Sequence, residues 1–167
     1  MRSDIQIRSY EKSDREQCRV LWRELTEWHR KIYHDPSIGG EHPEDYFDKH
    51  LAQVGPSQLW VAVNKSSVVG LVGLILKEEE AQIEPLVVSR LHRGKGLGKK
   101  LIDKVISEAQ ARGSKLLSVN PVARNVEAIR LFYKLGFRNL GFVEMFMDFS
   151  GRQWKPGPSI FRCKFNY

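Results

Sequence analysis

With 167 residues, 41% of them hydrophobic and 28% charged, the chain can bury one sizeable core and has the usual size of a single domain, expected here over 1–167. Its formal net charge of +7 admits nucleic acid, an acidic cofactor or an anionic surface as partner and selects none of them. Cys18 and Cys163 lie far apart without a CxxC spacing, the N-terminus MRSDIQIRSYEKSD lacks an apolar signal core, and no run approaches the roughly 18 apolar residues of a membrane span; these features predict a cytoplasmic protein with reduced core or surface thiols.

In chain order, Ile5 and Ile7 alternate with polar residues, as in a short strand. Ser13 and, three positions on, Glu16 have the spacing of a capping box and predict a helix start. Cys18, Leu21, Leu25, Trp28 and Ile32 then recur at helical spacing and give that helix one apolar face. Turn signals at Asp35-Pro36 and Gly39-Gly40 precede a predicted short helix from about Pro43 to Ala52, in a stretch holding Asp35, Glu41, Glu44, Asp45 and Asp48. LWVAV (59–63) and VVGLVGLIL (68–76) flank a polar turn and predict a hairpin; AQIEPLVVS (81–89) adds a strand and a second hairpin.

Leu97, Leu101, Ile102, Val105, Ile106 and Ala109 predict a helix ending near Arg112-Gly113. KLLSVNP (115–121) reads as a strand and NVEAIRLFYKL (125–135) as a short helix capped by Asn125. Two last strands are predicted from GFVEMFMDF (141–149) and SIFRCKF (159–165), which completes a mixed α/β order. His29, His34, His42 and His50 sit near acidic residues but lack a zinc-protease spacing, so they are read as solvated surface and no metal is expected. Trp22, Trp28 and Trp60 read as core or pocket wall, and Trp154 as part of a loop over an acceptor site.

Between the apolar strand and the periodic helix stands RGKGLG (93–98). It is one residue short of a Walker loop, with Lys100 where the hydroxyl should be, and its third glycine comes one residue early for a dinucleotide fingerprint. A strand-to-helix junction nonetheless exposes unpaired N–H groups at the positive end of the helix dipole. Gly94, Gly96 and Gly98 let a phosphate approach the backbone, and Arg93, Lys95, Lys99 and Lys100 add positive charge, so the stretch reads as a pyrophosphate cradle.

Arg93 to Gly98 resembles the R-x-x-G-x-G/A motif of the GNAT superfamily of acyl-CoA N-acyltransferases. IEPLVV before it, the helix after it, and Asn125, Ala128, Phe132 and Tyr133 ahead of Leu135-Gly136-Phe137 resemble the rest of that family's coenzyme-binding half, from about Ala81 to Phe137. The resemblance implies a GNAT fold: a central, mostly antiparallel sheet of six to seven strands flanked by helices and splayed near the strand carrying Glu84. It implies acetyl-CoA as co-substrate, with Arg93, Gly94, Lys95, Gly96, Leu97, Gly98 and Lys99 at the pyrophosphate. Leu86, Val87 and Val88 would pair with the pantetheine arm through their backbone, together with Asn125, Ala128 and Tyr133.

An amine attacking a thioester must lose its ammonium proton, develop a stabilised oxyanion and leave a protonated thiol. Glu84, among Ile83, Pro85, Leu86, Val87 and Val88, is a carboxylate whose apolar sequence neighbours would raise its pKa and suit it as general base. Several family members carry a proposed base at the matching place; an acceptor-binding role and an outward-facing strand residue remain open readings. By resemblance Tyr133 is the general acid, and backbone N–H groups near Leu86 to Val88 stabilise the oxyanion. The reading is acetyl transfer to a primary amine, of a polyamine-like molecule or a protein or peptide amino group, in a ternary complex. The acidic stretch from Asp35 to Asp48 leans it toward a cationic acceptor. A non-catalytic acyl-CoA-binding module and a basic nucleic-acid-binding domain are the rivals. Expected partners are acetyl-CoA and an amine, with a homodimer left open and neither nucleic acid nor membrane.

Overall fold

The computed structural model describes residues 5–167; the polar residues 1–4 at the start of the N-terminal reading lie outside them. The chain divides into two units, one ending at Asn120 and the other Pro121–Tyr167. The first holds β1 (Ile5–Ser9), α1 (Arg15–Tyr33), α2 (Asp45–Val54), β2 (Leu59–Asn64), β3 (Ser67–Lys77), β4 (Glu80–Val88), α3 (Leu97–Ala111) and β5 (Leu116–Val119). Its strands lie in the order β1-β2-β3-β4-β5, antiparallel at every pairing except the parallel β4–β5 edge.

β2 and β3 are buried almost continuously, from Leu59 to Ala62 and from Val68 to Leu74, because both faces of the sheet are covered. Cys18 and Leu21 of α1 and Phe47 of α2 join Leu59, Val61, Leu71 and Val87 in one core cluster. Leu97, Leu101, Ile102, Val105 and Ala109 of α3 are buried in turn, the stripe that their helical spacing predicts. Burial also pushes the Cys18 thiol up to about 12, which leaves it an inert core residue.

α1 starts differently from its predicted capping box. Ser13 and Glu16 are exposed, and a 3-10 turn, Lys12–Asp14, comes first. The Glu11 N–H donates to the Asp14 carboxylate at 2.8 Å, and the Asp14 N–H returns to the Glu11 carbonyl at 2.8 Å. Arg8 of β1 grips the same carboxylate with two hydrogen bonds of 2.7 and 2.8 Å. Asp14 is 3% exposed, so the acid that can bring its own counter-charge takes the start of the helix, two residues ahead of the expected partner.

In the middle of the sheet the β3–β4 ladder slips. Val72 pairs with Leu86 and Leu74 with Ile83, so Gly73 alone stands opposite both Glu84 and Pro85. This is a β-bulge, with an extra residue on β4 that bends the strand and increases its twist. A Cβ on Gly73 would lie 2.5 Å from the Glu84 carbonyl oxygen and 2.6 Å from Leu59 Cδ2, so only glycine lets the two strands approach there.

The second unit contains α4 (Val126–Lys134) and a hairpin of β6 (Pro156–Ile160) with β7 (Cys163–Asn166). Among the described residues the central sheet therefore has five strands, not six to seven, and the last two pair with each other. GFVEMFMDF forms no strand: Phe142, Met145, Phe146, Met147 and Phe149 are all exposed. An apolar run marks side chains able to line a sheet, but a strand exists only where a neighbour completes its ladder. SIFRCKF is divided instead of continuous. Phe161 and Arg162 take φ of 52° and 63°, the left-handed pair of a tight hairpin turn.

Two outcomes follow from these contacts. Gly73→Ala, which forces a methyl group against main chain, lowers unfolding free energy by about 1–3 kcal/mol in urea titration. Hydrogen bonding to Arg8 lowers the Asp14 pKa below its ordinary value, outweighing burial, so Asp14 contributes stability above the unfolded-state value of about 4 that is lost as pH falls through the folded value. Melts at pH 7 and pH 3 therefore show a shallower acid loss for Asp14→Asn than for the parent chain, and a pH 7 deficit of roughly 1–3 kcal/mol.

Candidate functional site

β4 loses one neighbour before it ends. Its parallel ladder runs from Glu80 to Ile83 against Leu116 to Val119, and from Leu86 to Val88 it pairs with β3 alone. Leu86, Val87 and Val88 thus border an edge that β5 does not cover, where an extended amide chain can add as a further strand. The β4–β5 ladder ends at Ile83, immediately before the bulge opposite Gly73.

Past Val88 the chain makes a 3-10 turn, Arg90–His92, and reaches Gly94 and Gly96, with φ of 72° and 77°. Both take the left-handed backbone that favours glycine. A Cβ at either would meet nothing within 4 Å, so conformation, not crowding, demands glycine, and the space over the loop is open. Leu97, Gly98 and Lys99 follow as the first turn of α3, and the first hydrogen bond back along the chain is from Lys100 N–H to the Gly96 carbonyl at 3.2 Å. The N–H groups ahead of Lys100 sit at the positive end of a helix 15 residues long, which makes an anion site.

α1 braces this loop. Glu24 accepts from the Arg90 N–H at 2.9 Å and from Ser89 Oγ at 3.3 Å. Arg93 Nε donates to the Val88 carbonyl at 2.9 Å, and its guanidinium lies over the Trp28 ring, 5.4 Å from the centroid. Lys95 Nζ donates to the Leu91 carbonyl at 2.9 Å, Lys99 pairs with Asp103 at 2.5 Å, and Lys100 is exposed. Arg93 and Lys95 therefore fasten the loop as well as charging it. The sequence reading missed Glu24 and took Trp28 as core or pocket wall; nothing local in the chain links α1 to a loop some sixty-five residues later.

Glu84 is exposed while Ile83, Pro85 and Val87 are buried. Its apolar sequence neighbours thus do not enclose it, contrary to the expectation, because successive strand side chains point to opposite faces. Gln82 Nε2 donates to its carboxylate at 3.1 Å. The histidines also divide. His34 and His42 are exposed, as the surface reading has them; His29 is half-buried with its pKa lowered by burial. His50 is buried at 5% exposure, which corrects the surface reading for that residue. Its place on the inner face of α2 beside Phe47 was visible only as a three-residue spacing.

The acidic stretch is occupied. Arg15 binds Asp48 at 2.8 Å, Arg19 binds Asp45 at 2.7 Å and also Asp48, and Arg23 binds Glu44, holding its carboxyl down to about 2. Asp35 accepts from the Ser37 N–H and hydroxyl. Asp45, Asp48 and Glu44 thus fasten α2 to α1 and Asp35 braces the turn after α1, while Glu41 of the same stretch is exposed.

In the second unit, Asn125 Oδ1 accepts from the Ala128 N–H at 3.3 Å and caps α4, as expected. Phe132 is buried and meets Phe137 edge-on with centroids 5.5 Å apart, whereas Tyr133 is 58% exposed beneath the Arg138 guanidinium at 5.4 Å. Of this aromatic pair the phenylalanine is buried in packing and the tyrosine is exposed. Trp154 Nε1 donates to Asp148 at 2.7 Å.

Residues 22–137 match the model of the acetyltransferase (GNAT) family. Human N-acetyltransferase 8B is 31% identical over 103 residues, covering 58% of this chain and 45% of that protein. Human N-acetylaspartate synthetase is 37% identical over 87 residues, 51% of this chain and 29% of that one. The chain thus spans under half the length of these curated relatives. Among solved structures, a GNAT-family acetyltransferase from Staphylococcus aureus superposes with a TM-score of 0.68 at 22% identity, covering 82% of this chain and 86% of that one. The PaiA N-acetyltransferase of Thermoplasma acidophilum, solved with coenzyme A, gives 0.69 at 18% identity over 81% and 90%. Both show the shared fold.

Proposed function

Because the chain belongs to the GNAT acetyltransferase family, we propose that it transfers the acetyl group of acetyl-CoA to a primary amine by direct attack in a ternary complex, with 1–167 acting as one catalytic domain. The observation that carries this reading is the glycine loop leading into α3 beside a β4 edge that β5 leaves uncovered. Backbone N–H groups from Gly94 to Lys99 receive the pyrophosphate, with the charge of Arg93, Lys95, Lys99 and Lys100 around it. Leu86, Val87 and Val88 pair with the pantetheine amides, and an N–H among them stabilises the oxyanion. Asn125, whose carbonyl oxygen caps α4, keeps its amide N–H groups for the same arm.

Glu84 takes the ammonium proton, directly or through one water, and exposure of its carboxylate gives a solvated amine access to it. As the nitrogen–carbon bond forms and the carbon–sulfur bond breaks, Tyr133 supplies the proton to the departing thiolate. The exposed position of its ring supports this assignment over a packing role. Acceptors in this reading are small polyamine-like molecules and peptide amino groups. The name N-acetylaspartate synthetase, borne by relatives, adds an amino-acid α-amine. No metal takes part. The two free thiols fit a cytoplasmic setting, and the partners are acetyl-CoA and the amine, without nucleic acid or membrane, whether the chain acts alone or as a homodimer. No helix among the described residues is long and apolar enough to cross a membrane.

Calorimetric titration with acetyl-CoA, followed by thiol release against polyamines, amino acids and peptides, tests the reading. Binding with release from one acceptor class supports it; binding with no release from any acceptor supports the non-catalytic module; no binding refutes both. Gly96→Ala, strained at positive φ, weakens acetyl-CoA binding by about tenfold. Tyr133→Phe lowers kcat by roughly a hundredfold while acetyl-CoA affinity changes less than about twofold. Equal, severe losses in both would make Tyr133 a binding or folding residue.

A further inference from the structure

The glycine loop is not held in place by packing. No residue from Val88 to Gly96 is buried, and Leu91, the large apolar side chain of this loop, is 80% exposed. Gly94 and Gly96 loosen the stretch further, because glycine gives up more backbone freedom on ordering than any other residue. A loop that has to be ordered before it can receive an anion binds that anion more weakly, in proportion to the time it spends out of place.

What orders it is the turn at its start. The 3-10 turn Arg90–His92 follows Ser89, a residue type that ordinarily caps such a turn with its own hydroxyl, yet Ser89 makes no such bond. Its Oγ donates instead to Oε1 of Glu24 on α1 at 3.3 Å, and the Arg90 N–H, the first donor of the turn, goes to Oε2 of the same carboxylate at 2.9 Å. Further bonds close the turn and tie it to the sheet: the Ser89 N–H donates to the Val69 carbonyl at 2.9 Å, the His92 N–H to the Ser89 carbonyl at 2.8 Å, and the Asn64 amide meets His92 Nε2 at 3.4 Å. A carboxylate repels an anion bound nearby. The place of Glu24 is therefore accounted for by its reach and its two acceptor oxygens, and not by its charge.

We propose that Glu24 is a positioning residue for acetyl-CoA: from α1 it caps the turn that opens the glycine loop, and so holds the N–H groups that follow Gly94 in place for the pyrophosphate before the coenzyme arrives. This rests on the reading of that loop as the coenzyme site. Glu24 acts through Ser89 and Arg90 and touches neither acetyl-CoA nor amine. One helical turn further along α1, Trp28 beneath the Arg93 guanidinium gives the same helix a second hold on the loop, so the brace enters from one rigid element.

The test is calorimetric titration of the full chain with acetyl-CoA, alongside hydrogen exchange at the Arg90 amide of the free protein, in variants that separate reach from charge. Glu24→Gln loses the charge and keeps the reach, since its oxygen can accept from the Arg90 N–H and its amide can donate to Ser89 Oγ. Glu24→Asp keeps the charge but withdraws it by one methylene, and Glu24→Ala has neither. Glu24→Gln is expected to bind acetyl-CoA within about threefold of the parent, whereas Glu24→Asp and Glu24→Ala bind about tenfold more weakly and exchange the Arg90 amide about tenfold faster. In turnover the loss falls on KM for acetyl-CoA more than on kcat. Affinity within about twofold of the parent in Glu24→Asp and Glu24→Ala overturns the proposal. So does tighter binding in Glu24→Gln and Glu24→Ala alike, the mark of a carboxylate that acts by repulsion, or an amide variant no better than alanine. Should Glu24→Ala not melt cooperatively, Glu24→Gln against Glu24→Asp decides, and equal affinity of those two overturns the proposal. If the parent binds no acetyl-CoA while loss of Glu24 still speeds exchange at Arg90, the brace stands and the assignment of the loop's ligand is what fails.

Discussion

One local irregularity, the bulge that sets Glu84 and Pro85 against Gly73, governs the working part of the sheet. An extra residue on one strand bends that strand and increases its twist. β4 follows: its pairing with β5 stops at Ile83, immediately before the bulge, and its last residues rely on β3 alone. The uncovered edge and the exit of the chain into the glycine loop both lie downstream of that bend. The requirement at Gly73 is correspondingly strict, since the nearest atom to a Cβ there belongs to main chain that no rotamer change can move.

α1 connects this region to the rest of the first unit through three faces. Its apolar stripe enters the core at Cys18 and Leu21. Arg15, Arg19 and Arg23 run along a second side at four-residue spacing and hold α2, which brings His50 inward. Glu24 and Trp28, also four apart, hold the glycine loop through Arg90 and Arg93. The arginines of α1 are matched by carboxylates and so add nothing to the net charge, whereas Arg93 and Lys95 face neutral carbonyls and keep theirs at the loop.

The sequence disclosed what depends on period and on special backbone. β2, β3, β4 and α3 lie close to where their apolar patterns put them, and the glycines at 94 and 96 do take left-handed φ. It concealed what depends on distant partners. Ser13 and Glu16 have the spacing of a capping box, yet Arg8, on a different element, makes Asp14 the better start for α1. GFVEMFMDF has the composition of a strand and no ladder. His50 looks like three other histidines until Trp22 of α1 closes on it. The motif at 93–98 was legible because its chemistry is local: glycine conformation and a helix start are properties of six consecutive residues.

The pairing of the acidic stretch also bears on the proposed amine acceptor. Asp45, Asp48 and Glu44 would attract a polycation if they were free, but each already faces an arginine, and an incoming ammonium group would have to displace a guanidinium that binds through several N–H groups. Such an exchange offers little gain, so these residues give no preference for highly charged acceptors over singly charged ones. Glu84 is different: it is exposed and its hydrogen-bond donor is the neutral Gln82 amide, which leaves its charge uncompensated. A single exposed carboxylate on a bulge suits one ammonium at a time. In the proposed reaction, selection among amines then comes from what the rest of the acceptor meets and not from a field of negative charge.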